Sequence, residues 1–398
     1  MKSGNKPCMM ELSRQPTTGE APAMKSISDI LGGMQILLGL SYDLQDGFEE
    51  YLTEEQRTFL SMLRVLEEHL PSCCRAKAKT GRPAYQEMPF VRAFLAKAFF
   101  RVLTIEDLRK RLLSDPNLRK ICGFAKVPSL ATFSRRLAAL SVNTCIGNSL
   151  ETLVSSYHSG RIVGHISRDS TAIAAREKPY NKKSDVAIAR PQKHHRGRPR
   201  KGERRPEKKV PVIELQAQQL PQEALKALPT RCSWGCKKNS QGNLSYWKGY
   251  KLHLDVTDTG IPISFVVTGA NVHDSQVALP LEAMTEARVT HLYSLMDAAY
   301  DAEGIASFIQ DRERIPIIDR NKRRNDTRIP LDPATKRRFA IRTTVERANA
   351  YLKDWLLSPQ CFVRGIKKVS FQILCGVLCL AAVKILQYFI VPALNKSA

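Results

Sequence analysis

The sequence predicts an α/β domain preceded by a small all-helical unit, and three observations predict it. From about residue 50 to 145 apolar residues recur at helical spacing. After about residue 160 the pattern changes to short β-rich runs separated by helical segments. Those runs follow the order strand, hairpin, helix, strand, helix, strand, helix, which is an α/β order. The expected organisation is a poorly ordered N-terminus over residues 1–48, a helical unit over 49–150, and the α/β domain over 160–395 with a basic insertion at about 176–245.

In the helical unit, Thr53 and Gln56 form a capping box, and Phe59, Leu63, Leu66 and Leu70 follow at helical spacing until Pro71. A second helix is predicted over residues 89–102, opened by Pro89 and carrying Phe90, Phe94, Ala98 and Val102 along one face. Thr104 with Asp107 caps a third, through Leu108, Leu112 and Leu113, and shorter helices begin near Pro116 and Ser129. Short-turned helices in a basic protein fit a helix-turn-helix DNA reader, with residues 132–140, including Arg135 and Arg136, as its recognition helix. They fit equally a packing unit whose arginines are solvated.

In the α/β part, residues 161–173 read as the first strand, 250–256 and 261–268 as a hairpin around Asp258-Thr259-Gly260, and 290–296 and 315–319 as later strands. Helices are expected over 275–288 and 302–312. Residues 176–212 carry 14 Lys or Arg against four Asp or Glu, a like-charge density that predicts a loosely held insertion. Residues 369–391 are the one stretch apolar enough to suggest a membrane span, but Gln372, Lys384 and Gln387 interrupt it, and the plainer expectation is a buried core helix with no membrane partner.

The chain has 62 Lys plus Arg against 38 Asp plus Glu, a formal charge of +24, so a polyanionic partner is expected. Its ten cysteines are scattered, apart from Cys73 and Cys74, which fits free thiols in a reducing cytosol. Residues 1–23 are polar and lack the apolar segment of a signal peptide.

The chemistry is carried by carboxylates. Asp169 stands at the end of the first predicted strand and Asp297 at the end of a later one, where strand preference alone would place β-branched or aromatic residues. Two carboxylates on neighbouring strand ends repel each other unless a cation lies between them, and Mg²⁺, with its taste for carboxylate oxygens, is the natural cation. Two such ions can activate one oxygen and stabilise another in an in-line phosphoryl transfer. A third carboxylate is then expected from a later helix, and Glu346 supplies it on a face that also holds Arg342 and Lys353.

The spacing from Phe339 through Arg342 and Glu346 to Lys353 resembles the Tyr-Arg-Glu-Lys signature of bacterial insertion-sequence transposases, with Phe339 in the Tyr position. Asp169-Ser170-Thr171 and Asp297-Ala298-Ala299-Tyr300-Asp301 are similar to that family's two acidic motifs, and Val272-His273-Asp274-Ser275 to a segment between them. Residues 95–137 are similar to the helical domain often joined to these enzymes. The resemblance implies a ribonuclease-H-like α/β catalytic domain with a small all-α N-terminal domain. It also implies two Mg²⁺ or Mn²⁺ ions on Asp169, Asp297 and Glu346, DNA cleavage and strand transfer, and phosphate contacts from Arg342 and Lys353. Its partners would be element ends and target DNA, bound by a homodimer acting on the nucleoid in the cytoplasm. Some relatives carry a long β insertion before the Glu with base-stacking aromatics. Here the extra sequence follows the first strand and brings Trp234 and Trp247 with it. His273 beside Asp274 is expected to be a hydrogen-bonded pair rather than a catalytic dyad.

Arg196-Gly197-Arg198-Pro199-Arg200-Lys201 resembles an AT-hook, whose extended Gly-Arg-Pro core lays arginines in a narrow minor groove. Arg196, Arg198 and Arg200 are therefore candidate DNA contacts, the alternative being a solvated basic loop. The rivals to a transposase are a domesticated DNA-binding protein that has kept the fold, against which the three intact carboxylates argue, and a simple nuclease, which would cut without joining.

Overall fold

The computed structural model describes residues 51–70, 85–180, 210–238, 241–320 and 330–392. Residues 1–48 and the Arg196-Arg198-Arg200 segment lie outside them.

The helical unit forms where its local signals place it. Helix α1 (Glu54–Glu67) starts at the Thr53–Gln56 capping box, which satisfies backbone donors at both of its ends of the motif. Helix α2 (Met88–Phe99) opens on Pro89, and α3 (Ile105–Ser114) starts at a second box made by Thr104 and Asp107. Asp115 caps α4 (Pro116–Cys122), which Gly123 ends with φ 84°, and Ser129 caps α5 (Leu130–Leu140). Two helices complete the unit, α6 (Thr144–Gly147) and α7 (Ser149–His158).

The sheet is built on β1 (Ile162–Ala174) and a hairpin of β3 (Leu244–Thr257) and β4 (Pro262–Gly269), turned at Gly260. Strands β5 (Thr290–Met296) and β6 (Ile315–Ile318) lie parallel to β1, while β3 runs antiparallel to it and to β4. The resulting order, β4-β3-β1-β5-β6, puts an antiparallel meander on one side of β1 and parallel strands on the other, which is the ribonuclease-H-like arrangement. Helices α10 (Ala278–Glu286) and α11 (Glu303–Gln310) connect the later strands.

The second half of the insertion, for which the sequence reading gave no element, is folded. Residues 210–238 fold into α8 (Val212–Gln218), α9 (Pro221–Ala227) and β2 (Ser233–Lys238), and β2 pairs with the first half of β3. The loosely held segment expected over residues 176–212 lies mostly outside the described residues, and beyond it Ala224 and Leu228 bury apolar surface.

After β6 come α12 (Pro333–Ala340), α13 (Thr343–Tyr351) with a π turn over Leu352–Leu356, and α14 (Ile366–Ile385). Helix α14 is apolar all round because it is enclosed: it packs on α1, α2, α7 and β4. It is long and apolar enough to cross a membrane, yet 72% of its most apolar window is buried inside the protein. One continuous core runs from α1 through the sheet to α14.

Candidate active site

Parallel pairing of β1 with β5 aligns Ser167 with Leu295, and the same register two residues further on places Asp169 opposite Asp297. Asp169 is not at the end of β1, as the strand pattern implied. The strand runs on to Ala174, held by β3, and Asp169 sits where β1 loses its parallel partner. Asp297 lies just past β5 and caps the turn Ala298–Tyr300, accepting a bond from the Ala299 N–H at 3.0 Å.

Because side chains alternate along a strand, Arg168 points to the opposite face from Asp169. It is buried, with Nε and Nη2 donating to the two Asp255 oxygens at 2.7 and 2.6 Å and Nη2 also donating to Glu282 at 2.8 Å. Glu282 further binds Ser294 at 3.1 Å and His291 at 3.0 Å, and Thr285 donates to Asp255 at 2.7 Å. The network bolts β1, β3, β5 and α10 together directly behind the acid pair. Burial alone would raise the Glu282 carboxyl, but Arg168 and His291 outweigh it and hold it at about 2.

The pair itself is electrostatically strained. Burial, reinforced by the charge of Asp297, pushes Asp169 up to about 6 against an opposing bond from the Ser170 backbone. Asp297 is raised by burial and by the charge of Asp274. Asp274 is therefore a third carboxylate near the pair. It accepts from Lys251 Nζ at 2.9 Å and lies 3.8 Å from His253, and these two neighbours overcome burial to hold it below its ordinary value. His273 does not bond to Asp274 as sequence reading expected; its Nδ1 meets Ser275 Oγ at 2.8 Å and caps the short turn Asp274–Gln276.

Helix α13 lies across β1, anchored by Thr344 Oγ1 donating to Ser167 Oγ at 3.2 Å. Glu346 does not join the aspartates. Its carboxylate is 49% exposed and pairs with Arg342, and among the described residues no three His, Cys, Asp or Glu side chains lie close enough to share a metal ion. Asn349, one turn further on, reaches the pair instead, donating from Nδ2 to Asp169 Oδ2 at 3.1 Å. Its own Oδ1 is buried without a partner. The sequence reading missed Asn349, although its spacing from Glu346 puts it on the same helix face.

The residues present suit a hard divalent cation at the aspartate pair. Two half-buried carboxylates stand opposite one another, each held above its ordinary pKa, and an unpartnered amide oxygen lies beside them. The positive charge of Arg342 reaches both aspartates, and that of Lys353, in the π turn, is coupled to Asp169. Phe339 lies under the Arg342 guanidinium, with 5.7 Å to its ring centroid.

Two other candidates separate. Arg136, in the proposed recognition helix, donates to the Tyr85 carbonyl at 2.6 Å and pairs with Glu87, so it holds the fold, while Arg135 is exposed. Trp247 packs against Gly235, where an added Cβ would lie 2.4 Å from its ring, and its Nε1 donates to the Tyr250 carbonyl at 3.0 Å. Trp234 is 58% exposed.

Residues 166–381 match the family model described as the transposase DDE domain, and residues 49–138 match one described as a transposase domain (DUF772). No curated protein matches the chain. Among solved structures, a piggyBac transposase synaptic complex with hairpin DNA, seen by cryo-electron microscopy, aligns at a TM-score of 0.41 and 10% identity, over 87% of this chain and 76% of that one.

Proposed function

The chain belongs to the transposase DDE domain family, and on that premise we propose that it cleaves the ends of an insertion sequence and joins them to target DNA by metal-dependent phosphoryl transfer. The observation that carries the proposal is the register of β1 and β5, which sets Asp169 against Asp297 in front of the buried network of Arg168, Asp255 and Glu282.

In this reading Asp169, Asp297 and Glu346 hold two Mg²⁺ or Mn²⁺ ions. When bound, the ions supply Lewis acidity for the attacking and leaving oxygens of an in-line displacement. Asn349 fixes the rotamer of Asp169 through its hydrogen bond, so one ligand oxygen is aimed before any ion arrives. With a cation bound, Glu346 would no longer be needed by Arg342, and the guanidinium would be open to a DNA phosphate beside Lys353. The Tyr-Arg-Glu-Lys reading of Phe339, Arg342, Glu346 and Lys353 supports these roles. We take the active form as a homodimer on DNA, working on the nucleoid in the cytoplasm, with Arg196, Arg198 and Arg200 as additional minor-groove contacts.

The test uses a duplex bearing the terminal repeats that flank the gene, a supercoiled target and Mg²⁺. Joined products that vanish in Asp297→Ala are expected. Cutting without joining would assign a nuclease, and neither cutting nor joining by the unaltered protein would overturn the proposal.

A further inference from the structure

We propose that a cationic cavity on the far side of α13 from the aspartates binds a backbone phosphate of the DNA, so that the duplex straddles that helix. The proposal rests on the transposase reading and deepens it with a second phosphate site, built from residues that hold no position in the family motifs.

The cavity measures about 160 Å³ and lies where the β3–β4 turn, α13 and the end of α14 meet. Arg347 and Tyr351 line it from α13, Lys384 and Tyr388 from the end of α14 and the π turn after it (Leu386–Ile390), and Asp258 from the β3–β4 turn. That turn is tight, with the Gly260 N–H donating to the Thr257 carbonyl at 2.9 Å and a Gly260 φ of 78°. The Lys384 chain lies over it, its Cε 3.9 Å from where a Cβ on Gly260 would stand. Lys384 Nζ donates to Gln387 Oε1 at 3.1 Å, and an ammonium has further N–H groups to offer a ligand.

Neither Arg347 nor Lys384 makes an ion pair among the described residues. The carboxylate in the lining is engaged elsewhere: Asp258 accepts from the His165 backbone N–H at 3.2 Å through Oδ2 and meets His165 Nδ1 at 3.0 Å through Oδ1. A lysine in the last turn of α14 suits the helix dipole, but the dipole does not account for Arg347, which comes from another helix. Lys384 is also the only charged residue between 369 and 391, so a helix otherwise buried in the core presents its one cation here. A guanidinium and an ammonium lining one cavity without a carboxylate partner suit a phosphate, whose oxygens accept from both.

The cavity neighbours the aspartates without belonging to their site. Thr344 lines it and donates to Ser167 Oγ, two residues before Asp169 on β1. Asn349, which bonds Asp169, is two residues from Arg347 and so about 200° around the helix from it. The arc between them carries Glu346 and Ala350, both exposed. A helix with its side chains is about 10–12 Å wide and the major groove of DNA about 12 Å, so phosphates on the two walls of one groove can reach both sides of α13.

The test follows a labelled duplex from the DNA flanking the gene by fluorescence anisotropy at several salt concentrations. It compares Arg347→Gln, Lys384→Gln, the double variant, Lys384→Arg and Lys367→Gln. Lys367 is exposed at the other end of α14, so its change removes the same charge about 25 Å away. Because both cations hold one phosphate, the double variant should lower the slope of log affinity against log salt by about 0.9 and no more. Lys384→Arg and Lys367→Gln should keep the slope. Ethylation interference should find one phosphate whose modification weakens binding by the unaltered protein but not by the double variant. An unchanged slope in the double variant, or an equal loss in Lys367→Gln, would overturn the proposal. So would a loss of about 1.8, the mark of two independent surface contacts. Calorimetry with inorganic phosphate tests the other source: binding abolished in the double variant, with the DNA slope unchanged, would assign the cavity to a free anion. Cleavage is assayed on the same duplex. Binding without cutting would sink the transposase reading and leave the site standing, cutting with an unchanged slope would sink the site alone, and no binding of the duplex would sink both.

Discussion

Replacing Asp169 by Asn should stabilise the metal-free protein while destroying its activity. The native state holds the Asp169 proton more tightly than the unfolded chain does, with a pKa of about 6 against an ordinary 3.8. The stability this contributes is complete below the lower value and is lost as pH rises through the upper one. The gap corresponds to about 3 kcal/mol in favour of a neutral side chain above pH 7. Asn keeps an oxygen to accept the Asn349 bond, so little else changes. Urea denaturation in the presence of chelator, at pH 4 and pH 8, would measure it. The stability of Asp169→Asn relative to the unaltered protein should rise by about 2 to 3 kcal/mol between those two pH values, and Mg²⁺ should narrow the gap by stabilising only the carboxylate form. A difference that does not change with pH would refute the claim that the site stores an unfavourable charge.

Two further outcomes follow from the same geometry. Arg168→Met leaves Asp255 and Glu282 buried without their cation and should cost about 3 to 5 kcal/mol, read as a lower denaturation midpoint. Asn349→Asp puts a further carboxylate, beside that of Asp297, against Asp169 and should move the acid limb of the cleavage profile to higher pH, with DNA affinity little changed; an unmoved profile would make Asn349 a packing residue only.

Legibility in the sequence tracked how local the cause was. Capping boxes at Thr53 and Thr104, the proline at Pro116 and the turn at Gly260 are decided within a few residues, and each formed where the pattern put it. The strand run of residues 290–296 is continuous enough to give β5 its limits. Asp169 and Asp297 were legible as polar residues in strand-like company, but their apposition needed the β1–β5 register, which joins positions far apart in sequence. Lys251 was illegible because nothing in its neighbours distinguishes it, and Asn349 could be read only as sharing a helix face with Glu346; their meaning comes from what the fold brings to them. The second half of the insertion held no element in the sequence reading, because α8, α9 and β2 are short and owe their burial to the rest of the fold.

The central claim is that Asp169, Asp297 and Glu346 converge on divalent ions when DNA is bound, and cleavage of the polypeptide by bound iron tests it without relying on transposition. Fe²⁺ with ascorbate and peroxide cuts the backbone beside the ion, and the cuts are mapped by mass spectrometry. With the DNA complex, the account predicts cuts near residues 169, 297 and 346, suppressed by excess Mg²⁺ and lost in Asp297→Ala. Cuts near 169 and 297 that never include 346, with or without DNA, would contradict it and leave Glu346 as the partner of Arg342 alone.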